Sequence, residues 1–186
     1  MKCIITLSPT PRFFFKFFLL LSIALFQAKP AEAQLTVSHN LSVTQMLQTL
    51  FGGGISITNL STSCDTTLSM GTFNGANSNI GLSNGVIIST GNVNTAPGPN
   101  NQTGATGVMN TPGYPLLTAL AGQPTFDACV IEFDIVPLCD TLSIKYVFAS
   151  EEYPEFVGSI NDVFAFFISG PGIVGTQNIA LIPGTS

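Results

Sequence analysis

Positive charge is nearly missing from this sequence. Only five of its 186 residues are Lys or Arg. Lys2, Arg12, Lys16 and Lys29 all precede residue 34, which leaves Lys145 as the one later cation. A nucleic-acid partner is excluded, because nothing remains to neutralise phosphates. Charged residues of either sign make up 8%, against roughly 25% in an average soluble protein. Because 45% of the chain is hydrophobic, it is also not a disordered acidic tail, which combines low hydrophobicity with high charge. There is no Trp and a single His, His39, read as a surface residue near the mature N-terminus. One His and widely spaced Cys lack the paired-ligand spacing of a structural zinc site.

What is present begins with an export signal. Lys2, Arg12 and Lys16 precede a ten-residue apolar run at 17–26 (FFLLLSIALF), followed by Ala31-Glu32-Ala33. This pattern reads as a signal peptide over residues 1–33, handed to the export machinery and cut before Gln34. The apolar run is shorter than the roughly 18–20 residues that span a bilayer, and no later stretch is long enough. Residues 34–186 then form one domain in which nine carboxylates against Lys145 leave a net charge of −8. Eight of the nine lie between Asp127 and Asp162, whereas residues 66–126 carry no charge. Export leaves Cys64, Cys129 and Cys139, an odd number for an oxidising compartment. Cys129 could bridge to Cys139 across neighbouring strands, or Cys64 could reach either, with the third free or joined outside the chain. The turn-like Pro183-Gly184-Thr185-Ser186 directly after an apolar run reads as a truncated end, so the chain is expected to be a fragment of a longer protein.

Hydrophobic periodicity predicts one short N-terminal helix at 42–51, capped by Ser42, with Val43, Met46, Leu47 and Leu50 on one face and Gly52-Gly53-Gly54 ending it. Strands are expected at 55–60, 85–90, 128–136, 141–149, 163–169 and 178–182. In 128–136, Cys129, Ile131, Phe133 and Ile135 share a face opposite Glu132 and Asp134. In 141–149, Leu142, Ile144, Tyr146 and Phe148 align, and residues 137–140 would join these two strands as a hairpin. Residues 163–169 (VFAFFIS) are apolar on both faces, as in a central strand. Between the two halves, 91–126 is a long uncharged connection with room for a helical turn at 115–121; such loops are usually functional or mobile. The expected fold is mainly β, an antiparallel β-sandwich of jelly-roll-like form with that one helix.

Two glycine motifs carry no chemistry. Gly81-Leu82-Ser83-Asn84-Gly85 matches a nucleophile elbow, but a strand follows it where a helix is required. Gly170-Pro171-Gly172-Ile173-Val174-Gly175 matches a dinucleotide fingerprint, again without the helix that holds a pyrophosphate. Both read as turns. The acidic connection at 150–160 is the better candidate. Glu151, Glu152 and Glu155 follow one expected strand, and Asn161 and Asp162 precede the next. Glu151, Glu152, Asn161 and Asp162 therefore form a candidate Ca²⁺ site, since hard cations take six to eight oxygens. The alternative is that these carboxylates cap loop N–H groups. A glycosidase pair needs two carboxyls about 5–9 Å apart across a cleft, and adjacent Glu151 and Glu152 would point oppositely on extended backbone.

Three stretches carry a family resemblance: 125–137 (TFDACVIEFDIVP), 140–157 (DTLSIKYVFASEEYPEFV) and 161–172 (NDVFAFFISGPG). With 81–91 (GLSNGVIISTG) and Asn100-Asn101 upstream, the chain resembles the choice-of-anchor L domain over about residues 55–183. That family is found on secreted and cell-surface proteins, chiefly of Bacteroidota. The resemblance implies an exported protein whose relatives end in varied sorting segments, often those of type IX secretion, and sit beside adhesive repeats. It implies no catalytic residues. The expected function is a non-enzymatic secreted or surface module for adhesion or surface assembly, meeting an extracellular protein or glycan. A second expectation is a carbohydrate-binding module using Tyr114 or Tyr153 as a stacking ring. The third is a polysaccharide hydrolase working through Glu152.

Overall fold

A computed structural model describes residues 35–52, 55–101, 104, 107–138 and 140–182. The expected signal peptide and its cleavage point, Cys139 and the terminal tetrapeptide at 183–186 lie outside the described residues. In chain order the elements are β1 (Thr36–Ser38), α1 (Val43–Phe51), β2 (Ile55–Thr62), β3 (Met70–Asn74), β4 (Asn84–Ile88), a 3₁₀ turn (Val93–Thr95), α2 (Pro115–Ala121), β5 (Ile131–Pro137), β6 (Phe167–Ile168) and β7 (Gln177–Asn178).

Local chemistry sets both helices. The Ser42 Oγ accepts from the Gln45 N–H at 3.3 Å, while Gln45 Oε1 accepts from the Ser42 N–H at 2.9 Å. This reciprocal capping box satisfies donors that a helix start leaves open. Helix α1 buries Met46 and Leu47 and stops at Gly52, whose φ of 68° suits glycine. Helix α2 begins on Pro115, whose missing N–H costs nothing there, and ends at left-handed Gly122.

All ladders are antiparallel. One sheet has the order β1-β3-β4, with β3 and β4 in register from Met70↔Ile88 to Asn74↔Asn84. A second ladder pairs β2 with β5, from Ile55↔Pro137 to Thr62↔Ile131, with a register shift between Thr58 and Ser61. Asn59 absorbs that shift at a φ of 51° and donates its amide to the Asp134 carboxylate. β6 and β7 form a third, two-residue pair. Met46, Cys64 and Met70 form the buried cluster, with Leu41, Val43, Val86, Cys129 and Ile131 packed against it. Met70 is fully buried, a placement that stabilises by about 1.5–3 kcal/mol. Residues from the first sheet and from the β2–β5 ladder thus meet across one apolar layer, into which α1 inserts Met46. This is the mainly β, antiparallel sandwich that the strand and turn pattern predicted. A disulfide joins Cys64 to Cys129, with their Cα atoms 4.3 Å apart.

Several element boundaries differ from the sequence reading. β5 pairs with β2, and among the described residues no ladder joins it to 141–149. Residues 141–149 alternate in sequence but have no strand partner among the described residues, and all of them except Ile144 are exposed. Alternation makes a two-faced strip; a strand also needs a neighbour to take its N–H and C=O groups. Here Tyr146 and Phe148 instead lay their rings against Phe164, at 5.3 and 6.3 Å between centroids. Of the expected central strand 163–169, only Phe167–Ile168 is laddered, and its partner is Gln177–Asn178. β1 and β3 were not anticipated.

Candidate functional site

The acidic connection is a series of turns over residues 151–159. The Glu152 carbonyl accepts from the Phe156 N–H at 2.8 Å, and the Phe156 carbonyl accepts from the N–H groups of Ser159 and Ile160 at 3.0 and 3.1 Å. The Ser150 hydroxyl donates to Glu152 Oε2 and accepts from the Glu152 N–H, both at 3.2 Å. These bonds hold the Glu152 carboxylate in a half-buried position against Asp162. Partial burial pushes the Glu152 carboxyl above its ordinary value; the Asp162 charge and a hydrogen bond to Asp162 add to the rise, and Ser150 opposes it. Glu151 contributes a smaller repulsion, and its carbonyl accepts from Asn100 Nδ2 at 2.9 Å.

The four expected metal ligands are therefore only partly gathered. Glu152 meets Asp162, Glu151 stands beside them, and Asn161 is exposed with no hydrogen bond among the described residues. No group of three or more His, Cys, Asp or Glu side chains among the described residues is arranged to hold a metal ion. Elsewhere carboxylates do act as loop caps. Asp65 Oδ1 accepts from the N–H groups of Thr67 and Leu68 and from the Thr67 hydroxyl, and the Thr67 bonds hold its pKa below the usual carboxylate value.

A second locus comes from the uncharged connection. Residues 107–114 and 125–128 lie against each other as a clasp. Asp127 Oδ1 accepts from the Thr111 N–H at 2.7 Å, and Oδ2 from the Met109 N–H at 3.2 Å. The Asp127 and Ala128 N–H groups return bonds to the carbonyls of Thr111 and Pro112 at 2.9 and 3.2 Å, and Pro112 bridges Phe126. Tyr114 and Thr118 both bond the Thr125 hydroxyl. Gly113 passes so close to the Thr125 carbonyl that no side chain fits between them. The clasp borders a groove of about 480 Å³ lined by Val108, Asn110, Thr111, Pro112, Phe126 and Asp127.

Of the two tyrosines expected to offer a stacking ring, Tyr153 is 72% exposed. Tyr114 instead donates its hydroxyl to Glu132 Oε1 at 2.8 Å, and that bond raises its phenol pKa. His39 is half-buried rather than loose on the surface, with ring nitrogens 2.9 Å from the Met70 carbonyl and 3.1 Å from Asn94 Oδ1. Both glycine motifs are turns: Ser83 precedes β4 and accepts a bond from the Gly75 N–H at its carbonyl, and Gly170 closes onto Ile173. Phe126 escaped the sequence reading, because exposure of one ring at the end of a neutral loop leaves no local signal.

A family model described as the choice-of-anchor L domain matches residues 35–186. No curated protein and no solved structure matches the chain. No helix among the described residues is long and apolar enough to cross a membrane.

Proposed function

The chain belongs to the choice-of-anchor L domain family, a kind of non-catalytic module of secreted and cell-surface proteins, and on that premise we propose that it serves adhesion or surface assembly rather than catalysis. One observation carries this reading. Among the described residues the most exposed large apolar side chains are Val174, Leu138, Phe126, Tyr153, Ile182 and Val157, at 68–89% exposure, and all but Ile182, which follows β7, lie in connections between elements. Apolar groups held out on loops gain most from a second surface that covers them. The test is antibody labelling of intact cells, followed by retention of protein-coated beads on those cells. Labelling only after lysis, or equal retention of uncoated beads, refutes the reading.

Calcium belongs to the same proposal. Glu152 and Asp162 repel each other when both are ionised, and a divalent cation between them would relieve that repulsion, with backbone carbonyls, Asn161 and water completing its shell. Binding to the folded state alone, at a hundredfold excess over Kd, stabilises by about 2.7 kcal/mol, or roughly 5–10 °C in a domain of this size. The rise should vanish in a Glu152→Gln, Asp162→Asn double variant. A rise that survives in that variant removes these ligands, and no rise in the original protein removes the ion.

A further inference from the structure

We propose that the groove beside Phe126 binds a neutral sugar residue, which gives the surface module a ligand class and rests on that reading. The Phe126 ring is 75% exposed and Val108 62%, so neither is there to fill the core. The backbone under the ring is nonetheless fixed by the Pro112 bridge, by the two amide bonds to the Asp127 carboxylate and by the Thr125 hydroxyl. Asn110 and Asp127 both hold left-handed backbone, at φ values of 55° and 52°. Asn and Asp adopt this conformation more readily than other non-glycine residues, and here the bonds to the Asp127 carboxylate hold it in place. An exposed aromatic ring on a rigid support is preorganised for a flat apolar face.

Charge selects among occupants. No cation lines the groove, which disfavours anionic ligands, and its only carboxylate already accepts two backbone N–H bonds. What remains for recognition is the Asn110 amide and the Thr111 hydroxyl. Neither side chain has a hydrogen-bond partner among the described residues, so each offers both a donor and an acceptor. A pyranose presents the complementary pattern, a C–H face for the ring and neighbouring hydroxyls for the amide. A peptide strand fits less well, because the backbone edges of the clasp already pair with each other. The groove of about 480 Å³ is more open than enclosed, which suits a sugar ring laid against its surface.

The test is affinity electrophoresis of the full chain through gels holding cellulose derivatives, xylan, mannan or starch, with polygalacturonate as the anionic control. At least one neutral polymer should retard the protein. Phe126→Ala should weaken that retention by about tenfold or more, as loss of an aromatic anchor does, and Asn110→Gly, which removes the amide and keeps the left-handed backbone, should weaken it too. Phe126→Tyr should keep it. The melting temperature of Phe126→Ala should equal that of the original protein, which separates lost binding from lost folding. No retention by any neutral polymer, retention by polygalacturonate alone, or equal retention of Phe126→Ala overturns the inference. If intact cells still display the protein while every gel is negative, the sugar site fails and the surface reading stands. If the protein is not at the surface, that reading fails whatever the gels show.

Discussion

Removing the Cys64–Cys129 disulfide should cost about a quarter or more of an ordinary domain's stability. The bridge closes a loop with a sequence separation of 65, which in the chain-entropy treatment confines the unfolded state by about 4 kcal/mol. Total stabilities run at about 5–15 kcal/mol. The enclosed segment contains β3, β4, α2 and the uncharged connection, so without the bridge the unfolded chain regains the freedom of all of it. The sulfurs also pack with Met46 and Met70. Urea unfolding followed by circular dichroism measures the effect on the oxidised protein, the reduced protein and a Cys64→Ala, Cys129→Ala double variant. With a slope of about 2 kcal/mol per molar urea, the midpoint should fall by about 2 M at unchanged slope. Midpoints that agree within about 0.3 M would refute the reasoning, as would non-reducing peptide maps that join Cys139 to either partner.

Gly113→Ala places a methyl group against the Thr125 carbonyl and hydroxyl; forced overpacking of this kind costs about 1–3 kcal/mol, and an unchanged thermal midpoint would contradict the close approach. Glu152 makes stability pH-dependent in a definite direction. Its folded pKa lies above the ordinary 4.5, so the folded state holds the proton longer, and stability falls as pH rises from the ordinary value through the raised one. Chemical denaturation between pH 4 and 7 should show Glu152→Gln losing that component of the slope; identical slopes would mean that Glu152 is neither partly buried nor held against Asp162.

Features that depend on neighbours in sequence were legible, and those that depend on distant partners were not. Ser42 and Gly52 announce the two ends of α1 from the sequence alone, whereas the Gln45 half of its capping box was not read there. The β5 alternation also held, with Ile131, Phe133 and Ile135 more enclosed than Glu132 and Asp134. β3 (MGTFN) was missed because its Gly and Asn resemble punctuation, and only the ladder to β4 makes it a strand. Residues 141–149 erred in the opposite direction, an ideal pattern without a partner. The same division applies at the site. Charge density marked the acidic connection, but the meeting of Glu152 with Asp162 depends on how the loop turns. Three cysteines left the pairing open, and the choice of Cys64 with Cys129 follows from the β2–β5 register that brings their flanks together.

The covalent ring between Cys64 and Cys129 also changes what a protease can do to this protein. Exposed connections are where extracellular proteases cut, and the neutral stretch that carries Phe126 lies inside the ring. A single cut there opens the ring without releasing a fragment, since both new ends stay tied through sulfur. The nicked protein would migrate as one band until a reductant separates it into two.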